Sequence, residues 1–296
     1  MARLFIFGYG YCARHFLRGR DASIARVAAT VTSRDRADAL STDRIELLPF
    51  SDAETDPRIP GRIAESDTLL VSVPPGEQGD PVLGAYRGAI LRSRALARIV
   101  YLSTIGVYGD HGGDWVDESA GCISTNPRNV LRLEAENGWR TLGGESGKTV
   151  HVLRLAGIYG PGRNALEDLR NGTARRIVKK GQIFNRIHVE DIARAIGACF
   201  ASPGPGAVWN VVDDEPSPPQ DVVAYAATLL GIEPPAEIPF GTAELSPAAR
   251  SFYADSRRCS NRAIKETLGV TLAFPTYREG LRALNDALAG GMPSPP

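Results

Sequence analysis

The chain opens MARLFIFGYGYCARHF. An apolar run, Leu4–Phe7, meets Gly8-x-Gly10-x-x-Ala13 and then residues at helical spacing. A strand that turns into a helix within a few residues needs a glycine at the bend. A second glycine lets a ligand's phosphates approach the backbone, and a small third residue lets helix and strand pack closely. The helix N-terminus then points its backbone N–H groups at whatever lies on the turn. Two glycines alone mean little; it is their place between a strand and a helix that carries the signal.

The rest of the chain fits this opening. Short apolar runs recur at Val27–Thr32, Thr68–Val73, Ile99–Ser103 and Val150–Leu155, separated by segments long enough for crossover helices. Leu83–Leu96 has helical spacing. This alternation predicts a parallel sheet covered on both faces. Beyond Leu155 the pattern is broken by Gly160-Pro161, Pro203–Gly206 and Pro216–Pro219. A strand is expected at Arg186–Val189, a helix at Glu190–Phe200, a strand at Val208–Val212 and a helix at Gln220–Leu230. A further helix near Ala263 would be capped by Ser260 or Asn261 and stopped by Gly269. The terminal MPSPP is expected to be loose. The expected fold class is therefore α/β: a Rossmann-type, doubly wound parallel sheet with a smaller C-terminal substrate lobe. Residues 1–158 would form the dinucleotide-binding domain and 159–296 mainly the substrate lobe, with 187–212 returning to the sheet.

Charge narrows the partners. Lys plus Arg equals Asp plus Glu at 34 each, so the bulk field favours neither nucleic acid nor membrane. Cys12, Cys122, Cys199 and Cys259 have no ligand-like spacing and are expected to be reduced thiols, with no metal site. The N-terminal apolar run is too short for a signal-peptide core, and no stretch reaches membrane-span length. A cytoplasmic protein is the expectation.

On this reading Gly8, Gly10, Tyr11, Cys12 and Ala13 form the cofactor's pyrophosphate cradle. The end of the second strand reads Thr32-Ser33-Arg34-Asp35-Arg36. NAD enzymes usually place a carboxylate there for the ribose hydroxyls, whereas a 2′-phosphate suits Ser and Arg. Ser33 and Arg34 thus predict NADP, with NAD less favoured. LLVSVPPG ends a central strand in a stiff turn, putting Val73 and Pro74 beside the cofactor. Asp52 is a weaker candidate for an adenine contact.

With these residues in place, the chain resembles the extended short-chain dehydrogenase/reductase family, that of NAD(P)-dependent epimerases and dehydratases, over nearly its whole length. YLSTIGVYGD looks like the family's fifth strand, and RLAGIYGPGR like its sixth strand and the loop beyond. RIHVEDIARAI and WNVVDDEPSPPQDVV resemble the later segments that enter the substrate lobe. The resemblance implies a Tyr-x-x-x-Lys pair on the helix after the fifth strand. Here NPRNVLRLEAE puts Arg128 at the Tyr position and Arg132 at the Lys position, with Thr104 as the hydroxyl residue. A guanidinium stays protonated, so Arg128 is a poor acid and no base. It suits an anion anchor, while Arg132 can keep the ribose-binding role.

Tyr108, Arg163 and Arg186 are expected to contact substrate. His111, Asp114 and Glu118 lie in a glycine-rich loop, and His188 reads as structural. The basic residues between Arg163 and Arg186 fit a phosphate or carboxylate ligand or, equally, a solvated surface. The resemblance also implies a homodimer through the helices after the fourth and fifth strands. The chain is then either an oxidoreductase or epimerase/dehydratase-like enzyme on a small anionic molecule, or a non-catalytic NADP(H)-binding sensor.

Overall fold

The computed structural model describes residues 2–19 and 24–289. The terminal MPSPP lies outside them. In chain order the first elements are β1 (Ala2–Phe7), α1 (Tyr11–Arg18), β2 (Ile24–Val31), α2 (Arg34–Leu40), β3 (Ile45–Pro49), α3 (Ile59–Glu65), β4 (Thr68–Val71), α4 (Pro81–Arg92) and β5 (Arg98–Thr104). A 3₁₀ turn at Ile105–Tyr108 precedes β6 (Trp115–Val116), α5 (Pro127–Ser146), β7 (Thr149–Leu155), β8 (Gly157–Tyr159), α6 (Ala165–Arg170), β9 (Arg176–Val178), β10 (Arg186–His188) and α7 (Val189–Ala201). The chain then forms β11 (Val208–Val211), α8 (Pro219–Leu230), β12 (Glu237–Pro239), α9 (Pro247–Phe252), β13 (Arg258–Cys259), α10 (Arg262–Glu266) and α11 (Tyr277–Ala289).

Seven strands form one sheet in the order β11-β7-β5-β4-β1-β2-β3. The ladders linking β5 to β4, β1, β2 and β3 are parallel. This is the doubly wound α/β sheet that the alternating pattern predicts. The winding reverses between β1 and β4, and in open α/β sheets ligands bind beyond the strand ends at such a switch point.

The chain divides into two compact units. One holds the residues up to Thr104 with Pro127–Arg154 and Ala193–Trp209. The other holds Ile105–Asn126, Leu155–Ile192 and the described residues from Asn210 onward. The first unit's core packs Phe5, Phe7, Leu48, Ile59, Val71, Ile99, Tyr101 and Trp139. Asp80 ties this core together, because its Oδ1 caps α4 at Val82 N (2.9 Å) and Leu83 N (3.0 Å). Its Oδ2 accepts from the buried Trp139 Nε1 at 2.9 Å. The second unit carries the parallel pairs β8–β10, β9–β12 and β6–β13. A core of Tyr159, Leu166, Val222, Tyr277 and Leu281 joins α6, α8 and α11.

Some boundaries differ from the sequence reading. Edge strand β3 is missing from the apolar runs, because Glu46 interrupts it. The helix expected over Leu83–Leu96 ends at Arg92, where Ser93 turns to extended backbone. Asn261 does not cap α10 with its side chain; its amide donates instead to Val212 O (2.9 Å) and Asp214 Oδ1 (2.6 Å). No helix among the described residues is long and apolar enough to cross a membrane.

Candidate functional site

The glycine turn is clamped from both sides. Gly8 N donates to Thr30 Oγ1 (2.9 Å) and Tyr9 N to Thr30 O (2.7 Å) on β2. From the end of β4, Ser72 Oγ donates to Gly8 O at 2.7 Å. Gly8 has φ +92°, and a Cβ there would lie 2.7 Å from Ser72 Oγ and 3.1 Å from Val73 Cγ2. Only glycine satisfies both the dihedral and the space. Gly10 differs, since a Cβ on it would meet nothing within 4 Å. Gly10 caps α1 with no side-chain bond, and the first helical turn contains no acidic residue. Ala13 is fully buried beneath the turn, with Tyr11 packed edge-on to His15. The first turn of α1, with Tyr11 and Cys12, thus follows an open glycine and carries no acidic residue of its own, which fits a phosphate group.

At the end of β2, Ser33 caps α2 by accepting from Arg36 N at 3.4 Å. The guanidinium of Arg34 donates through Nε to Glu54 Oε1 (3.2 Å) and through Nη1 to Asp56 Oδ2 (3.5 Å). Bonds from Arg58 pull the buried Asp56 carboxyl down to about 2, so it is ionised at any working pH. Arg34 is therefore oriented by two carboxylates, while Nη2 makes no hydrogen bond among the described residues. Glu54 comes from the turn after β3, and nothing at the end of β2 announces it. Val73 is half-buried against the core, Pro74 is exposed, and Asp52 is exposed.

Thr104, half-buried, ends β5. Arg128, Arg132 and Glu136 follow one face of α5 at four-residue spacing. Arg128 is exposed in the first turn, where a cation opposes the helix dipole by about 0.3–1 kcal/mol. Arg132 Nη1 donates to Tyr101 Oη (3.2 Å) and Leu102 O (3.1 Å). Burial pushes the Tyr101 hydroxyl far up despite Arg132 beside it. Deeper in α5, the buried Glu136 accepts from Ser103 Oγ and from Arg154 Nη2 (2.8 Å) and Nε (3.2 Å). This triad anchors α5 to β5 and β7. Sequence reasoning missed it, because nothing in the sequence distinguishes a buried Glu from a surface one.

In the second unit Tyr108 is fully buried and donates to Asn210 Oδ1 at 2.8 Å; Asn210 N in turn donates to Glu118 Oε1 at 2.7 Å. His111 N and Gly113 N both bond Ser256 O, so this loop lies along β13. The basic stretch is dispersed. Arg176 bonds Pro235 O and Glu237, Arg175 bonds Glu244 O, and Lys179 bonds Gln182 Oε1 and Tyr253 O. Arg163, Arg170 and Lys180 are exposed. Arg186 donates to Ser217 Oγ (2.9 Å) and Phe184 O (3.1 Å), with its guanidinium 5.8 Å from the Tyr277 ring centroid. The His188 ring packs 5.1 Å from that of Tyr159 and 4.1 Å from that of Phe274.

Asp213 is 2% exposed, and its Oδ2 has no hydrogen-bond partner. Burial pushes its carboxyl well above the usual carboxylate range, outweighing the opposing pull of Arg186. A carboxyl raised in the folded state favours folding below its unfolded value, near pH 4. That contribution is lost as pH rises toward the folded value. Asp213→Asn is therefore expected to stabilise the protein at pH 7 by about 1–2 kcal/mol, with the advantage vanishing near pH 4. Thermal unfolding between pH 4 and 8 checks this. A variant less stable at pH 7 would mean that Asp213 is ionised and that its charge stabilises the fold.

No family model matches the chain. Protein YeeZ of Escherichia coli K12 is 30% identical over 247 residues, covering 79% of this chain and 86% of that protein. A 3-diazoavenalumate denitrifying reductase of Streptomyces is 29% identical over 143 residues, 44% of this chain and 45% of the reductase. Among solved structures, a functionally unknown conserved protein from Silicibacter pomeroyi is 43% identical. It superposes with a TM-score of 0.87 over 97% of this chain and 99% of its own. MoeE5, solved with UDP-glucuronic acid and NAD, is 19% identical with a TM-score of 0.76 over 98% of this chain and 100% of its own, a likeness of fold. The chain belongs to the family of protein YeeZ, and its fold is that of the NAD-dependent epimerases and dehydratases, the extended short-chain dehydrogenase/reductases.

Proposed function

We propose that the first unit binds NADP(H) and that the chain is an oxidoreductase or epimerase/dehydratase-like enzyme acting on a small anionic, sugar- or phosphate-like molecule. The observation that carries this is the open Gly10 turn at an α1 N-terminus without side-chain cap or first-turn carboxylate. Gly8, Gly10, Tyr11, Cys12 and Ala13 would hold the pyrophosphate, with Val73 and Pro74 flanking it. Ser33 and Arg34 would take the 2′-phosphate, Arg34 through the Nη2 left open by Glu54 and Asp56. Arg132 uses Nη1 to brace itself on β5, which leaves Nε and Nη2 for ribose hydroxyls. The cofactor, when bound, supplies or accepts a hydride. Thr104 would hold the reacting oxygen, and Arg128 would anchor an anionic group. Neither arginine can accept a proton, so the proton would exchange with water. Arg163, Arg186 and Tyr108 belong to the substrate side of this reading, and the homodimer through α4 and α5 goes with it. MoeE5 with its UDP-sugar supports the substrate class. The replacement of Tyr and Lys by Arg128 and Arg132 favours a second reading, a non-catalytic NADP(H) sensor.

The test has two arms. Arg34→Gln, which adds no third carboxylate beside Glu54 and Asp56, is expected to weaken NADPH at least about tenfold, the worth of a lost charge-assisted bond. NADH should change less than about threefold, and equal losses would remove the 2′-phosphate assignment. In the second arm, bound NADPH is followed by stopped-flow absorbance while phosphorylated sugars and UDP-sugars are added. Oxidation that disappears in Thr104→Val and Arg128→Ala supports the enzyme. Oxidation by none of them favours the sensor.

A further inference from the structure

We propose that the first unit carries a second anion site, at the sheet edge remote from the glycine turn, that binds a compact polyphosphate chain. Two turns meet there: Ser93–Arg98, leading from α4 into β5, and Ser146–Thr149, leading from α5 into β7. Thr149 N donates to Ala97 O (2.9 Å) and Lys148 Nζ to Ser93 O (2.9 Å), which locks the turns side by side. Together they line a cleft of about 650 Å³, within the size range of small-molecule sites.

Arg92, Arg94, Arg98 and Lys148 line this cleft, and no carboxylate does. Among the described residues none of the four pairs with an acidic side chain. Two carboxylates beside these turns are engaged elsewhere: Asp67, whose carbonyl accepts from Ala97 N, bonds Arg3 N (2.7 Å) and faces the Arg3 guanidinium, and Glu145 pairs with Arg87. The chain as a whole has equal numbers of acidic and basic residues, so four cations in one cleft without a carboxylate are a local excess. Helix dipoles account for Lys148, which donates to the carbonyl ending α4. They also favour Arg92, in the last turn of α4, but not Arg98, which begins β5. Arg98 is the most telling, because its Nε is buried and has no hydrogen-bond partner, a costly arrangement unless an acceptor arrives.

The lining fixes the ligand class. Guanidinium forks match phosphate oxygens in pairs, and several cations around one cleft suit several linked phosphates. No aromatic side chain lines the cleft, so nothing would stack on a base, and the phosphate chain alone would be read. The site is separate from the glycine turn: β5 begins at Arg98 and reaches Thr104 about 20 Å away, at about 3.3 Å per residue.

The test is calorimetric titration of the full chain with inorganic triphosphate and, separately, with ATP, at low and moderate salt. The expected result is saturable binding to one site by both, with affinities within about threefold and weakened by salt. Arg92→Gln/Arg94→Gln is expected to weaken each at least tenfold, while Arg44→Gln/Arg262→Gln leaves them within twofold. Unfolding curves of the variants confirm that the fold is intact. No binding, an affinity unchanged by Arg92→Gln/Arg94→Gln, or ATP binding far tighter than triphosphate would each overturn the assignment.

Discussion

Glu136→Leu is expected to destabilise the protein by about 3–5 kcal/mol, the usual cost of removing one partner of a buried ion pair. Glu136 is 1% exposed and Arg154 5% exposed. The carboxylate receives both Nε and Nη2 of Arg154 and the Ser103 hydroxyl. Deleting it leaves a guanidinium in a dry interior beside an unpaired hydroxyl. Arg154→Met is expected to cost a similar amount, because it strands the carboxylate. Together, Glu136→Leu and Arg154→Met should lose much less than the sum, since no buried charge remains. The buried Trp139, one turn farther along α5, is a fluorescence reporter for denaturant unfolding. A single-variant loss below about 1 kcal/mol, the range of exposed pairs, would show that water reaches the pair in solution. The prediction bears on function, because α5 also carries Arg128 and Arg132. If the triad positions them, Glu136→Gln should weaken NADPH binding even where the helix stays folded.

The sheet is legible in the sequence because its determinants are local: apolar runs of strand length, glycines at one turn, and spacing that admits crossover helices. β3 escapes because Glu46 breaks its apolar pattern, yet Glu46 is used, accepting from Arg58 and Arg62. The site residues come from position within a motif, and their surroundings come from distant chain. Arg34 alone suggests an open phosphate-binding guanidinium, but the fold brings Glu54 and Asp56 against it from 20 and 22 residues away. The basic residues from Arg163 to Arg186 read as one patch. In the fold, Arg175, Arg176, Lys179 and Arg186 point to different carbonyls and side chains, and no local pattern encodes that. The glycines around His111 suggest a loop free to reach a ligand, but they let the chain lie against Ser256. Charge pairing and burial are properties of contacts between distant segments, and a linear pattern records only the residues available to make them.

The two glycines of the turn should separate protein stability from ligand binding. Gly8→Ala is expected to lower stability by about 2–3 kcal/mol: about 1–2 kcal/mol for a side chain held at positive φ, and more for the contact with Ser72 Oγ. A Gly8→Ala/Ser72→Ala double variant should regain the contact cost but not the dihedral cost. Gly10→Ala should behave differently, because φ is −94° and open space surrounds the new methyl. Stability should then change by less than about 1 kcal/mol, or even rise as the unfolded chain loses freedom. NADPH affinity, however, should fall at least tenfold, because the methyl occupies the space through which the pyrophosphate approaches the backbone. Denaturant titration gives the first quantity, and quenching of NADPH fluorescence gives the second. A Gly10→Ala variant that is stable and binds NADPH like the parent would mean that this turn holds no dinucleotide. A stable variant that has lost NADPH would mean that the second glycine is needed for the ligand and the first for the fold.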